Sequence, residues 1–144
     1  MRIFLLGIIM SFCAVWAQQP DFSNSMLYKA DINAQEAYER QQKGAILIDV
    51  RTKREFKFSH PKDAINIPVF YEQFGQRVFN ENFVEQVDYA LKGDLDQEVI
   101  LICRTGSRTK FASNLLAHEG FSSVYNIQQG FVFDWTKQNL PVSK

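Results

Sequence analysis

Two runs of four apolar residues, Ala45-Ile46-Leu47-Ile48 and Val99-Ile100-Leu101-Ile102, are uninterrupted by any polar side chain. A strand with one wet face alternates apolar and polar residues, so unbroken runs of this length describe strands covered on both faces, as in parallel sheets. Parallel neighbours need long crossover connections, most often helical, and the segments around the runs have that character. Asn33 to Gln42 predicts a helix with Ala34, Ala37 and Tyr38 on one face, Asp31 as its cap and Gly44 as its stop. Val69 to Leu91 predicts one or two helices with Phe70, Phe74, Phe79 and Phe83 in the core, ended at Gly93. Ser107 to His118 carries Phe111, Ala112, Leu115 and Leu116 at helical spacing and stops at Gly120. Short strands at Ala45–Val50, Ala64–Ile67 and Ser123–Ile127, and a short helix from Phe131 to Gln138, complete an α/β pattern with a parallel sheet. In such sheets sites form beyond the carboxyl ends of the strands.

The first residues carry a different pattern. Met1–Ala17 has a cationic start at Arg2, an apolar stretch from Ile3 to Met10, and Val15-Trp16-Ala17 ahead of Gln18, which is the form of a cleavable export signal. Its apolar run falls well short of the roughly 20 residues of a membrane-spanning helix. A periplasmic location after cleavage is therefore the expectation, with no stable membrane insertion; secretion, or an uncleaved N-terminal anchor, is the alternative. Residues 18–29 read as a polar surface lead-in, and 30–140 as one domain with a single core. Without Arg2 the 16 basic residues fall one short of the 16 acidic ones, a balance that gives nucleic acid no attraction. Cleavage also removes Cys13, leaving Cys103 as the one thiol and no internal disulfide. Stability must then come from burial, for which 13 Phe, 5 Tyr and 2 Trp supply large rings.

Cys103 follows the second apolar run and opens the segment Cys103-Arg104-Thr105-Gly106-Ser107-Arg108-Thr109. If a strand ends at Cys103 and a helix starts at Ser107, the chain between must curl tightly, with Gly106 taking a conformation that a side chain resists. The amides of such a loop and the positive end of the helix form a cradle for negative charge around the sulfur. Arg104 and Arg108 add two cations, so a nucleophilic thiolate is the expectation. Ser107 and Thr109 offer hydroxyls either to the sulfur or as helix caps, capping being favoured. A lone cysteine at the end of a core strand is ordinarily a small hydrophobe. Two arginines, a loop glycine and three hydroxyls beside it point to catalysis.

These residues resemble a known family. Ile48-Asp49-Val50-Arg51, Glu55-Phe56, His60, Ala64-Ile65-Asn66-Ile67-Pro68, the loop from Cys103 to Thr109, and Gly130 with Trp135 are similar to a single-domain rhodanese, from about Ala30 to Trp135. The resemblance implies a five-stranded parallel sheet with helices on both faces. It also implies a sulfurtransferase, in which Cys103 takes sulfane sulfur from an anionic, thiosulfate-like donor as a persulfide and passes it to cyanide or a thiol, free or on a partner protein. No metal or organic cofactor is implied. Asp49 and Arg51 are supporting candidates near the loop, although Arg51 and Glu55 are spaced to pair across a helical turn, and that structural reading is favoured. His60 reads as a turn organiser, and His118 as a residue answering a helix dipole. Ser59-His60-Pro61-Lys62-Asp63-Ala64 and Gln129 depart from the frequent family pattern in turns. Acidic Glu55 falls near where some two-domain thiosulfate enzymes place a base, which weakens thiosulfate as the natural donor.

Two rival readings use the same loop. Related folds with C-x5-R loops are phosphatases or arsenate reductases, whereas Cys103 to Arg108 is C-x4-R, a tighter cradle suited to one sulfur. The other rival is a non-catalytic module that presents sulfur or binds a partner.

Overall fold

The computed structural model describes residues 20–144; the export-signal reading of Met1–Ala17, with Cys13, lies outside the described residues. Five strands form one parallel sheet: β1 (Ala30–Ile32), β2 (Ile46–Asp49), β4 (Ile65–Asn66), β7 (Val99–Ile102) and β8 (Val124–Ile127), in the order β1-β8-β7-β2-β4. The chain is thus α/β, with the sheet the apolar runs predict. All four side chains of central β7 are fully buried. Val99 and Leu101, with Cys103 beyond them, enter a core shared with Phe83, Val87, Ala112 and Leu116. Ile100 and Ile102 enter the opposite core with Ala34, Ala37 and Trp135. A strand loaded on both faces has no place for a polar residue, which explains the unbroken run.

The helices α1 (Ala34–Gln42), α3 (Phe83–Ala90) and α4 (Ser107–His118) supply those covers, with one π-helical turn at Phe131–Trp135. A short helix, α2 (Lys53–Phe58), buries no side chain and sits after β2. Strand β2 leads outward to β4, and β7 leads outward the other way to β8. Connections that diverge like this open a crevice above the carboxyl ends of β2 and β7. The register sets Asp49 opposite Ile102, so the residues after both strands emerge at one level. Among the described residues no helix is long and apolar enough to cross a membrane.

Three sequence expectations change. Helix α1 is capped by Asn33, whose side chain accepts the Glu36 amide at 2.8 Å. Asp31 is still in β1 and accepts from Tyr28 and Asn126, so pairing of β1 with β8 keeps the chain extended past the expected cap. The stretch from Val69 is not helical at first. Strands β5 (Phe70–Gln73) and β6 (Gln76–Phe79) form an antiparallel hairpin, turned at Phe74-Gly75 with both φ angles positive. That is the geometry of a two-residue hairpin loop. Phe74 is wholly exposed at its tip and Phe79 partly so, while Phe70 packs on Phe111; only Phe83 enters the core as expected. The spacing of Phe70 and Phe74 imitates a helical face, and Gly75 is the signal against it. Finally, the expected helix at Phe131–Gln138 is the single π turn ending at Trp135.

Two further pairs complete the chain: β3 (His60–Pro61) lies antiparallel to β9 (Val142–Ser143). His60 donates through Nδ1 to the Phe56 carbonyl at 2.8 Å and stacks on the Phe56 ring, a turn-organising position. Residues 22–27 lie over α4. Asn114, fully buried on α4, reaches the carbonyls of Phe22 and Ser25 and accepts the Leu27 amide at 2.7 Å. Replacing Asn114 by alanine strands three backbone groups, and the expected cost is about 2 kcal/mol. Urea unfolding should show it, with faster amide exchange at residues 22–27; an unchanged midpoint would deny Asn114 this clasp role.

Candidate active site

Cys103 leaves β7 fully buried, and the loop behind it wraps the sulfur. The Gly106 amide donates to Cys103 Sγ at 3.1 Å. Gly106 makes this possible with φ +99, and a Cβ there would run into the carbonyl of Gln128, so both conformation and space require glycine. The outer side of the loop is tied down. The Cys103 carbonyl accepts the Phe131 amide at 2.8 Å, and the Arg104 carbonyl accepts the Val132 amide at 3.1 Å. A trans peptide sets its N–H opposite its C=O, so these two bonds turn the Arg104 and Thr105 amides away from the π turn. Gly130, φ +69, lets the π turn come this close: a Cβ would meet both carbonyls at 2.7 Å.

Neither hydroxyl serves as a side-chain cap of α4; Gly106 occupies the cap position. Thr109 donates to the Gly106 carbonyl at 2.9 Å and sits 3.5 Å from Sγ, fully buried, whereas Ser107 is exposed. The amides of the first helical turn have no intrahelical acceptor, so Ser107 and Arg108 contribute through their backbone to the positive end above the sulfur.

The charges pair differently from the sequence expectation. Arg51 does not meet Glu55. It grips Asp49 through Nε at 2.9 Å and Nη2 at 2.7 Å, donates to the Ser59 carbonyl at 2.7 Å, and lies 4.4 Å from the Phe131 ring centre. One guanidinium thereby joins the end of β2, the end of α2 and the π turn that holds the cysteine loop. Burial pushes the Asp49 carboxyl up, opposed by the Arg51 guanidinium and amide. Asn66 adds a brace, donating to the carbonyls of Asp49 and Arg51.

Glu55 binds Arg108 instead, in a two-pronged pair of 2.7 and 2.8 Å. It also accepts the Thr52 amide and hydroxyl, closing a capping box at the start of α2. Burial pushes the Glu55 carboxyl up, but Arg108 and Thr52 outweigh it and hold it at about 2. The Arg108 charge is therefore matched, and the expectation of two free cations at the loop narrows to Arg104. The pair spans 53 positions of sequence, so local spacing carried no sign of it; the Thr52-to-Glu55 capping box was readable.

Exposed Arg104 lines a polar cavity of about 310 Å³ with Thr52, Arg54, Glu55, Arg77 and Arg108. Sequence reading missed Arg54 and Arg77, which come from α2 and the β5–β6 hairpin and carry no local motif. Among the described residues no cluster of His, Cys, Asp or Glu could hold a metal.

The sequence profile of the rhodanese-like domain matches residues 33–138. The chain is 38% identical over 108 residues to senescence-associated protein DIN1 of Raphanus sativus, covering 75% of this chain. That match spans 57% of the radish protein, little more than half its length. It is 30% identical over 112 residues to the thiosulfate sulfurtransferase GlpE of Haemophilus influenzae, covering 78% of this chain and 92% of that one. Among solved structures, the polysulfide-sulfur transferase homodimer of Wolinella succinogenes superposes with a TM-score of 0.58 at 22% identity, over 81% of this chain and 79% of that one. Rv0390 of M. tuberculosis superposes with a TM-score of 0.65 at 24% identity, over 81% of this chain and 98% of that one. At these identities the superpositions speak for the fold.

Proposed function

The chain belongs to the rhodanese-like family, and from that premise we propose that it is a sulfurtransferase working through a Cys103 persulfide. The Cys103 sulfur attacks the outer sulfur of an anionic, thiosulfate-like donor. The donor's S–S bond breaks and its remainder leaves as an anion with the bonding pair. A thiophilic acceptor, cyanide or a thiol, then attacks the outer sulfur of the persulfide and frees Cys103. The observation that carries this reading is the Gly106 amide on Sγ, in a loop whose carbonyls are anchored outward. Preorganised donors of this kind stabilise negative charge on sulfur without reorganising during the reaction.

Arg104, exposed and outside the ion pairs among the described residues, is the loop cation assigned to the incoming donor. Arg108 has another task. Held by Glu55, it anchors the first turn of α4 to the start of α2, which favours the sulfur reading over the phosphatase or arsenate reductase one, where the loop arginine must be free to grip an oxyanion. Export through Met1–Ala17 into the periplasm belongs to the same proposal, and the N-terminal mass of protein taken from that compartment tests it.

Incubation of the protein with thiosulfate should add the mass of one sulfur to Cys103, and cyanide should remove it as thiocyanate. The Cys103→Ser variant should do neither. No mass gain together with turnover of an aryl phosphate would reject the sulfurtransferase reading; unaltered cellular function of Cys103→Ser would favour the partner-binding module.

A further inference from the structure

The β5–β6 hairpin carries a residue that its own turn disfavours. Phe74 opens the two-residue loop with φ +51, a left-handed conformation that bulky side chains resist and Asn or Gly accepts. Its ring is also wholly exposed. Conformation and hydrophobicity both oppose a phenylalanine here, whereas an aromatic anchor for a contact outside the chain has this form. The ribbon behind it has two unlike faces, because cross-strand pairs alternate between them. Phe70, Phe79, Glu72 and Arg77 share one face, which packs on Phe111 and reaches the polar cavity beside Arg104. Tyr71, Val78, Gln73 and Gln76 share the other, which holds no charge and leaves Tyr71 and Val78 partly exposed. On that side Tyr71 walls an open cleft of about 880 Å³ with Ile65, Ile67, Pro68, Tyr89 and Ala90. Tyr89 is 86% exposed, and Ile65 lies on β4, the outer strand of the sheet. Neither edge of the ribbon pairs with another strand among the described residues, and a lone two-stranded ribbon is marginally stable in water.

We propose that this face is an interface between two copies of the chain, in which Phe74 of each copy enters the cleft of the other. Knob and socket are placed for it. Phe74 stands three positions beyond Tyr71, about 10 Å along a strand, so a two-fold axis between them lays two ribbons antiparallel and sets each tip over the other's cleft. The charges at the cleft fit the same symmetry. Lys53 and Glu85 line it, one of each sign, and neither belongs to an ion pair among the described residues. Lys53 opens α2, where a cation opposes the helix dipole, so its own helix gains nothing from it. In the pair, Lys53 of each copy meets Glu85 of the other at the rim. An uncharged aromatic centre within a charged rim is the usual composition of a protein interface. The 16 basic and 16 acidic residues leave no net charge to push two copies apart.

Sedimentation velocity of the purified chain over a concentration series tests the interface, with Phe74→Asn as the first variant. Asparagine accepts the turn's conformation, so in dilute solution, where both proteins are monomers, the variant should melt no lower than wild type. Its dimer dissociation constant should nevertheless rise at least about tenfold, because two anchors leave each dimer. The Lys53→Glu and Glu85→Lys chains should each dimerise more weakly than wild type. An equimolar mixture of the two should associate more tightly than either alone, since a mixed pair again sets opposite charges face to face at both rims. Wild type that stays monomeric to millimolar concentration overturns the proposal, and so does a dimer that Phe74→Asn leaves unchanged or a mixture no tighter than its components. Flotation of a monomeric wild type with anionic phospholipid vesicles, lost in Phe74→Asn, would overturn it in favour of a lipid surface as the partner of the ring.

Discussion

Gly106→Ala is expected to lower cyanide-dependent thiocyanate formation at least about 100-fold, because misplacing a reacting group by about 1 Å costs that much. The backbone at φ +99 resists a side chain, and the new Cβ would overlap the Gln128 carbonyl. Relief requires moving the loop or the segment after β8, and either motion takes the amide away from Sγ. A stability loss of about 2–4 kcal/mol should accompany the lost activity. Gly44→Ala is the control, since it shares a positive φ of +107 but has nothing within 4 Å of a new Cβ. It should cost about 1 kcal/mol and leave turnover near wild type. Full activity in Gly106→Ala would show that the amide on Sγ is dispensable.

Glu55→Ala should be strongly damaging although it lies outside the loop. It leaves Arg108, only 7% exposed, without its carboxylate, and it opens the capping box of α2. Removing one partner of a fully buried pair costs about 3–5 kcal/mol. Glu55 is 27% exposed, so water can partly replace it, and about 2–3 kcal/mol is expected. The same pair sets an acid limit. With the folded carboxyl at about 2 and its ordinary value at 4.5, its contribution is complete above pH 4.5 and fades as pH falls through 2. The contribution is on the order of 2 kcal/mol after allowing for solvent. Urea midpoints of wild type and Glu55→Gln should therefore converge between pH 4.5 and 2. A gap that persists at pH 2 would assign the effect to packing.

These two sites differ in how visible they were before folding. Gly106 stands out because a strand, a tight turn and a helix must succeed one another within a few residues, and only a glycine fits such a turn easily. Glu55 carried a misleading neighbour in Arg51, placed where a helical pair would form. That pairing fails because Arg51 precedes the helix, which begins at Lys53, and Asp49 two residues earlier is already desolvated at the strand end. The hairpin at Phe70–Phe79 shows the same limit. Aromatic spacing could not distinguish a helix face from a ribbon whose rings lie on Phe111 at one end and in solvent at the other.

The sequence by itself determined the parallel sheet, through runs too apolar for any half-exposed strand, and the position of the proposed nucleophile, through a cysteine between such a run and a helix. Both are consequences of neighbouring residues, where backbone geometry and burial act over a few positions. Only the tertiary structure decided which of the two loop arginines, Arg104 or Arg108, stands outside an ion pair. Pairing Arg108 with Glu55 depends on the start of α4 meeting the start of α2 above β2 and β7. Ion pairing follows distance and desolvation in space, and sequence spacing sets neither of these for segments 53 residues apart.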